Sequence, residues 1–175
     1  MTGMQKVRTI TQSAVLIALA LALSYTERFI PLQLVIPLPG VKLGLANVVT
    51  LVSLYLLGFK KTLPVVVIRC VLGGLFGSLT SLLFSLTGGL LALGVMGIFK
   101  KTAAFSVYGV SILGAAAHNI GQILAAMVLM NSVYVGAYLP YLLLIGICTG
   151  MATGAACAGV LRALKAVPIS KEMNR

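Results

Sequence analysis

Residues 104–130 read AFSVYGVSILGAAAHNIGQILAAMVLM, a run of 27 residues without a charged side chain. A helix needs about 20 mostly apolar residues to cross the hydrocarbon core of a bilayer. The run therefore predicts a transmembrane helix, and it is the longest of six similar runs. They lie at roughly 10–26, 43–58, 63–81, 83–99, 104–130 and 139–163.

The composition leaves no room for a soluble domain. Of the 175 residues, 60% are hydrophobic and only 9% are charged, whereas a soluble domain carries roughly 25% charged residues. We therefore expect an all-α integral membrane protein with six transmembrane helices, forming a single domain over residues 1–175. The three cysteines, Cys70, Cys148 and Cys157, all lie within apolar runs and predict small buried side chains.

The basic residues orient the helices. If the N-terminus is inside, ten of the thirteen Lys and Arg residues fall on the cytoplasmic side: Lys6, Arg8, Lys60, Lys61, Lys100, Lys101, Arg162, Lys165, Lys171 and Arg175. This arrangement follows the positive-inside rule and predicts that both termini are cytoplasmic. It also explains the net charge of +11 without a nucleic-acid partner, and it argues against cleavage of the first run as a signal peptide. The boundary between the third and fourth runs falls either at Ser78–Ser81 or at Thr87-Gly88-Gly89.

Three bases do not belong to the cytoplasmic set: Arg28, Lys42 and Arg69. The first two bracket an external segment, 27–42, whose prolines exclude a continuous helix. Arg28 is a candidate ion-pair partner of its neighbour Glu27, and Lys42 either reaches the lipid headgroups or contacts a ligand. Arg69 lies about 12 Å along the third helix from its cytoplasmic lysines. At that depth it must bind either backbone carbonyls and polar side chains or an anionic ligand.

A second polar cluster lies in the fifth run. His118 and Gln122 are at positions i and i+4 of one helix face, with Asn119 beside them. Asn47, near the outer end of the second run, is a candidate member of the same polar interior. Because unsatisfied polar groups are expensive in the membrane, these side chains either bond neighbouring helices or line a ligand site. One histidine without a nearby acid does not predict a metal site.

Small residues recur at four-residue intervals in three helices. Ala14, Ala18 and Ala22 form a ridge on the first helix, Gly146, Gly150 and Gly154 a ladder on the sixth, and Gly73 and Gly77 a shorter pair on the third. Such ridges allow two helix backbones to approach closely. We expect the glycine sets to pack within the chain, whereas the alanine ridge fits internal packing and a partner protein equally well.

The sequence lacks the residues of several enzyme classes. It contains no aspartate, although prenyl synthases hold magnesium and a diphosphate with paired aspartates, and it has no GxxxxGK[ST] loop for ATP. Ser/His/acid or Cys/His/acid sets within the membrane are excluded because the acids are missing. We therefore expect a protein that is not an enzyme, with no catalytic residue and no cofactor.

Four stretches resemble the Gx transporter family, whose members are often labelled heptaprenyl diphosphate synthase component I. They are Pro39-Gly40-Val41-Lys42-Leu43-Gly44-Leu45-Ala46-Asn47, residues 69–77, Ser85-Leu86-Thr87-Gly88-Gly89, and Gly114-Ala115-Ala116-Ala117-His118-Asn119-Ile120-Gly121-Gln122. The resemblance covers nearly the whole chain. The family is similar to the substrate-binding (S) components of energy-coupling-factor (ECF) vitamin transporters, six-helix proteins of the bacterial cytoplasmic membrane.

The resemblance implies a function. S components capture a small molecule near the outer face and dock, through small residues of the first helix, onto a transmembrane coupling subunit and an ATPase pair. Ala14, Ala18 and Ala22 match that docking ridge. The substrate site is then expected to contain Lys42, Asn47, Arg69, His118, Asn119 and Gln122. Tyr134, Tyr138 and Tyr141 either cover this site or anchor the chain at the membrane surface. The alternative is a non-catalytic membrane subunit associated with isoprenoid or quinone metabolism or with membrane electron transfer.

Overall fold

The computed structural model describes residues 3–29, 42, 44–102 and 104–166, without the side chains of Arg28, Lys165 and Ala166. Six α-helices follow one another: α1 Gly3–Thr26, α2 Asn47–Leu57, α3 Phe59–Leu75, α4 Leu79–Lys101, α5 Val107–Leu129 and α6 Leu139–Ala166. Short 3-10 helices follow α1 at Glu27–Phe29 and precede α6 at Val133–Tyr138. The described part of the chain contains no strand. The predicted all-α fold with six helices is confirmed.

Four of the helical segments are long and apolar enough to cross a bilayer. They are Gly3–Thr26, Leu79–Lys101, Val107–Leu129 and the continuous stretch Val133–Leu164. The protein is thus a multi-pass membrane protein. The other two helices are shorter, with 17 residues in α3 and only 11 in α2. At 1.5 Å per residue, α2 reaches roughly 16 Å, about half of the hydrocarbon thickness.

The helix boundaries differ from the hydropathy runs at two places. α3 ends at Leu75, and α4 begins after Ser78, whose side-chain oxygen accepts a hydrogen bond from the Ser81 N–H at 3.1 Å and so caps the helix. The alternative turn at Thr87-Gly88-Gly89 lies inside α4. α2 begins at Asn47, four residues after the predicted start of the second run, because the chain before it is not helical.

The short helix α2 occupies the centre of the bundle. It contacts all five other helices, which are arranged around it in the order α1, α3, α4, α5, α6. The seven residues Asn47 and Val49–Leu54 are all buried. Gly58 connects α2 to α3 in a single-residue turn. Its φ is 78°, a backbone conformation that residues other than glycine rarely adopt.

Described basic residues mark one end of the bundle. Lys61, at the start of α3, donates to Thr9 of α1 at 3.5 Å, and Lys100, at the end of α4, donates to the Leu54 carbonyl near the end of α2 at 2.7 Å. We call this the inner end and the opposite one, where α1, α3 and α5 finish, the outer end. Lys171 and Arg175 of the predicted cytoplasmic set lie outside the described residues.

The small-residue patterns separate into internal and exposed sets. Methyl groups at Gly146, Gly150 and Gly154 would all contact α5, so this ladder packs inside the chain. By contrast, all three alanines of the predicted docking ridge on α1 are exposed. Cys148 is also exposed, in contrast to the expectation that all three cysteines are buried, because its side of α6 does not face the bundle.

Candidate ligand-binding site

The polar residues meet where the chain enters the bundle ahead of α2. Gly44 and Ala46 are buried although the backbone there is not helical. Such backbone is tolerated at membrane depth only where protein or a water-filled cavity surrounds it. Gly44 has a φ of 81°, and a methyl group on it would lie 2.8 Å from Asn47 Nδ2 and 3.1 Å from His118 Cδ2. Glycine is therefore required at position 44 by both conformation and space.

Lys42 connects this entry segment to two helices. Its ammonium group donates to Ser85 Oγ on α4 at 3.0 Å. With the Gln122 amide nitrogen facing the Lys42 carbonyl, the amide of Gln122 on α5 bonds both backbone groups of Lys42 at 3.1 Å, as a neighbouring strand would. The Gln122 oxygen then also accepts from His118 Nε2 at 3.0 Å. The predicted i,i+4 pair His118 and Gln122 thus holds the segment that carries Lys42.

The His118 ring is confined between two glycines. Gly44 lies on one side, and a methyl group at Gly88 of α4 would lie 2.8 Å from His118 Nδ1. Gly121, one turn from His118, would bring a methyl group within 2.8 Å of Gly88 Cα. The close contact between α4 and α5 therefore fixes the imidazole in a buried position, about 16 Å from the outer end of α5.

Arg69 lies in the same polar interior, on α3. It is 6% exposed and lies six residues before the end of its helix, about 9 Å from the outer end. Its Nη2 atom faces Gly89, the neighbour of Gly88, at 3.2 Å from the position of a methyl group there. Among the described residues, its Nε and Nη2 atoms have no hydrogen-bond partner. A buried donor left in this state costs about 1–3 kcal/mol, and more when it is charged.

Glu27 is an acidic residue of the site that was not predicted from the sequence. It is 7% exposed, and its carboxylate accepts hydrogen bonds from the backbone N–H groups of Leu45 and Gly44. Burial raises the pKa of the Glu27 carboxyl, while these hydrogen bonds and the positive charges of Lys42 and Arg69 act in the opposite direction. Glu27 therefore belongs to the site, whereas the predicted partner Arg28 has no described side chain.

The two asparagines that were predicted as site residues, Asn47 and Asn119, have different surroundings. Asn47 is 2% exposed, and neither atom of its amide is bonded to a described residue, although Nδ2 lies near Gly44. Asn119 instead donates to the Leu142 carbonyl of α6 at 2.6 Å. This bond joins α5 to α6. Asn47 fits a ligand site, and Asn119 fits the interhelical alternative.

A cavity of about 480 Å³ adjoins the polar residues near the outer end. The described residues that line it come from α1, from the end of α3 and from Lys42: Leu21, Ala22, Ser24, Tyr25, Lys42, Gly73 and Phe76. Its size lies within the range of small-molecule sites. Of the predicted external segment 27–42, residues 30–41 lie outside the described residues. Tyr134 and Tyr141 are exposed, while Tyr138 is partly buried beside α5.

The structure brings Lys42, Asn47, His118 and Gln122 together around the entry segment, with Arg69 nearby on α3. Three further residues of the site were not predicted from the sequence: Glu27, Gly44 and Ser85. Gly44 and Ser85 lie within the quoted family motifs, and this position could have marked them as site residues. For Glu27, the only signal in the sequence was that it is an isolated acid.

These features define a multi-pass α-helical membrane protein with a buried polar site in the outer half of the bundle. The family described as heptaprenyl diphosphate synthase component I matches residues 16–160, which is most of the chain. The protein belongs to this family, as the sequence motifs predicted. No curated protein and no solved structure shows significant similarity to the chain.

Proposed function

We propose that this protein is the substrate-binding membrane component of an ECF-type importer for a small anionic or polar, vitamin-like solute. The proposal rests mainly on the buried guanidinium group of Arg69. A buried guanidinium with two nitrogens lacking a described partner suits a ligand that supplies acceptor oxygens. In this proposal Lys42 and Arg69 hold the acidic group, and Asn47 and His118 add directional hydrogen bonds.

The charge of the site supports an anionic ligand. Among the described residues, the cations Lys42 and Arg69 interact electrostatically with one carboxyl group, that of Glu27, whose burial favours its protonated form. A ligand with one or two negative charges would balance the site without removing its existing hydrogen bonds. A cationic ligand would increase the imbalance.

Transport against a gradient needs an energy source, and the sequence has no ATP-binding loop. The proposal therefore includes a transmembrane coupling subunit and an ATPase pair as partners in the bacterial cytoplasmic membrane. The exposure of Ala14, Ala18 and Ala22 on the described bundle supports docking through α1. Lipid would cover the same face if no partner binds.

Ligand identification tests the substrate site. Protein purified in mild detergent would be examined by native mass spectrometry, as the unchanged chain, as Arg69→Met and as Arg162→Met, which removes an exposed arginine at the inner end. We expect a bound anionic solute that is lost in Arg69→Met and retained in Arg162→Met. Equal occupancy in both variants would remove the assigned role of Arg69.

Co-purification with a coupling module tests the docking surface. The variant Ala14→Phe/Ala18→Phe is compared with Val15→Phe/Leu19→Phe, which changes exposed residues on a different side of α1. We expect the first variant to lose co-purification and uptake, and the second to retain both. If both variants co-purify as well as the unchanged chain, α1 is not the docking helix.

The family description favours a second candidate, a non-catalytic membrane subunit of isoprenoid or quinone metabolism or of membrane electron transfer. The absence of aspartate supports a non-catalytic role, because the metal–diphosphate site of such synthases cannot be built. A co-purified quinone or isoprenoid diphosphate, together with a stable complex with a soluble prenyl synthase subunit, would select this candidate over the importer.

A further inference from the structure

The cavity beside Lys42 has an unusual lining for a site that takes only a polar solute. Leu21, Ala22, Tyr25 and Phe76 supply apolar or aromatic surface from α1 and α3. Lys42 is the one charged residue among the described residues of the lining. A cavity of this kind matches a molecule with two parts, one acidic and one apolar.

The cavity also borders side chains that are exposed on the described bundle. Phe76 is 75% exposed and Tyr25 is 58% exposed, and the neighbouring Leu75 and Phe29 are exposed as well. Toward the inner end, Leu21 of α1 contacts α3 near Gly73, with 3.8 Å between its Cδ2 atom and the position of a methyl group there. The cavity is therefore limited by a close helix contact on one side and by exposed aromatic side chains on another.

Lys42 is shared between this cavity and the polar site. Its backbone is held by Gln122 and its ammonium group donates to Ser85, so its position is fixed by α4 and α5. An acidic group at Lys42 would thus lie where the cavity meets the polar interior.

We infer that the ligand of this protein is an amphipathic anion, whose acidic group contacts Lys42 and whose apolar part lies in the cavity between α1 and α3. This inference rests on the proposed function for the anion contact and adds the chemical class of the ligand. The ligand comes either from the bilayer, as an acidic lipid, or from solution, as an organic acid or phosphate with an apolar body.

Three probes test the acidic and the apolar part of the ligand together and one at a time: decyl phosphate carries both parts, inorganic phosphate only the acidic part, and decanol only the apolar part. The protein is placed in nanodiscs of neutral phosphatidylcholine, and unfolding is followed by the reaction of a thiol dye with the buried Cys70 and Cys157. A Cys148→Ser background removes the exposed thiol. We expect decyl phosphate to raise the unfolding midpoint by about 5 °C at saturation and the other two probes to have little effect.

Two variants locate the binding. Lys42→Met should weaken decyl phosphate binding about tenfold or more, because a charge-assisted hydrogen bond is lost. Gly73→Leu fills the cavity and should abolish the shift, whereas Gly94→Leu, at a position with open space around it, should leave the shift unchanged. Ser24→Leu fills the same cavity from α1 and serves if Gly73→Leu does not fold.

Other outcomes overturn the inference and are distinguishable from failure of the proposed function. If inorganic phosphate stabilises as well as decyl phosphate and Gly73→Leu affects neither, the ligand is a polar anion: the inference fails and the importer proposal stands. If decanol equals decyl phosphate and Lys42→Met has no effect, both the amphipathic ligand and the anion contact at Lys42 fail. If no probe raises the midpoint, the inference fails, and the importer proposal is decided by the co-purified solute alone.

Replacing the neutral lipid of the nanodiscs by an acidic lipid shows whether the ligand comes from the bilayer or from solution. In nanodiscs of phosphatidylglycerol, a midpoint that is raised in a Lys42-dependent manner and no longer responds to decyl phosphate identifies an acidic lipid as the ligand. A midpoint that still responds to decyl phosphate identifies a ligand taken from solution. Either result supports the amphipathic class.

Discussion

Replacement of Gly121 by alanine should loosen the bundle and the site together. A methyl group at this position would lie 2.8 Å from both Gly88 Cα and the Thr87 carbonyl oxygen of α4. Ordinary contacts begin near 3.4 Å, so the two helices must separate by about 0.6 Å. The atoms that oppose the methyl group belong to the helix backbone and cannot rotate away.

The magnitude follows from two opposing terms. Overpacking of a close contact costs typically 1–3 kcal/mol, and alanine regains up to about 1 kcal/mol through its better helix propensity. A net loss of roughly 1–2 kcal/mol corresponds to an unfolding midpoint about 3–6 °C lower for a chain of this size. Movement of α5 should also stretch its hydrogen bonds to other elements, such as the 3.1 Å bonds from Gln122 to Lys42, beyond hydrogen-bond range.

Thermal unfolding in detergent, followed by exposure of the buried cysteines, measures the first effect, and ligand occupancy by native mass spectrometry measures the second. Gly94→Ala on α4 is the matched control, because nothing lies within 4 Å of its added methyl group. We expect this control to unfold at or slightly above the midpoint of the unchanged chain. A Gly121→Ala protein that unfolds like the Gly94→Ala control would refute the close contact between α4 and α5.

Three further predictions concern single contacts. Lys100→Met removes the hydrogen bond that joins α4 to the end of α2 and should destabilise the protein by roughly 1–2 kcal/mol in thermal unfolding, whereas Lys101→Met, at an exposed site, should change little. Asn119→Ala loses the bond to Leu142 and should cost about 0.6–1.7 kcal/mol without a change in ligand occupancy; lost occupancy would show that Asn119 binds the ligand. Because burial raises the pKa of Glu27, its contribution to stability is complete below its ordinary value of 4.5 and is lost as pH rises through the raised folded-state pKa. The unfolding midpoint of the unchanged chain should therefore fall relative to that of Glu27→Gln as pH rises above 4.5, and a constant difference would contradict this account.

Hydropathy and charge were sufficient to predict the six helices and the basic end of the bundle. Both signals are carried by many residues, so the error at any one position matters little. The start of α2 was not predicted, because the sequence of residues 43–46 is as apolar as the helix that follows, and hydropathy does not distinguish a helix from the turn that precedes it. The positive φ of Gly44 is likewise a property of the backbone that a single glycine does not reveal.

The residue types of the candidate site were predicted, but the direction in which each side chain points was not. His118 and Asn119 are adjacent in sequence, yet one faces Gly44 and the other bonds α6, because successive helix positions point about 100° apart. Which of the two faces the polar interior depends on how α5 is rotated against its neighbours. Glu27 was paired in sequence with its neighbour Arg28, whereas in the fold the backbone of residues 44 and 45 approaches it from the other side of the external segment.

The length of α2 has a consequence for how the protein is made. A helix of eleven residues, which include the polar Asn47, Thr50 and Ser53, is too short for an independent membrane insertion step, since it reaches only about half of the hydrocarbon core. Gly58 leads directly into α3, whose first turn carries two lysines that favour the cytoplasmic face. Insertion of α2 therefore depends on the synthesis of α3, with the two helices entering the bilayer as one hairpin. The polar interior, which includes Arg69 of α3, can form only after that step, so it assembles from a cotranslational intermediate that already contains both helices.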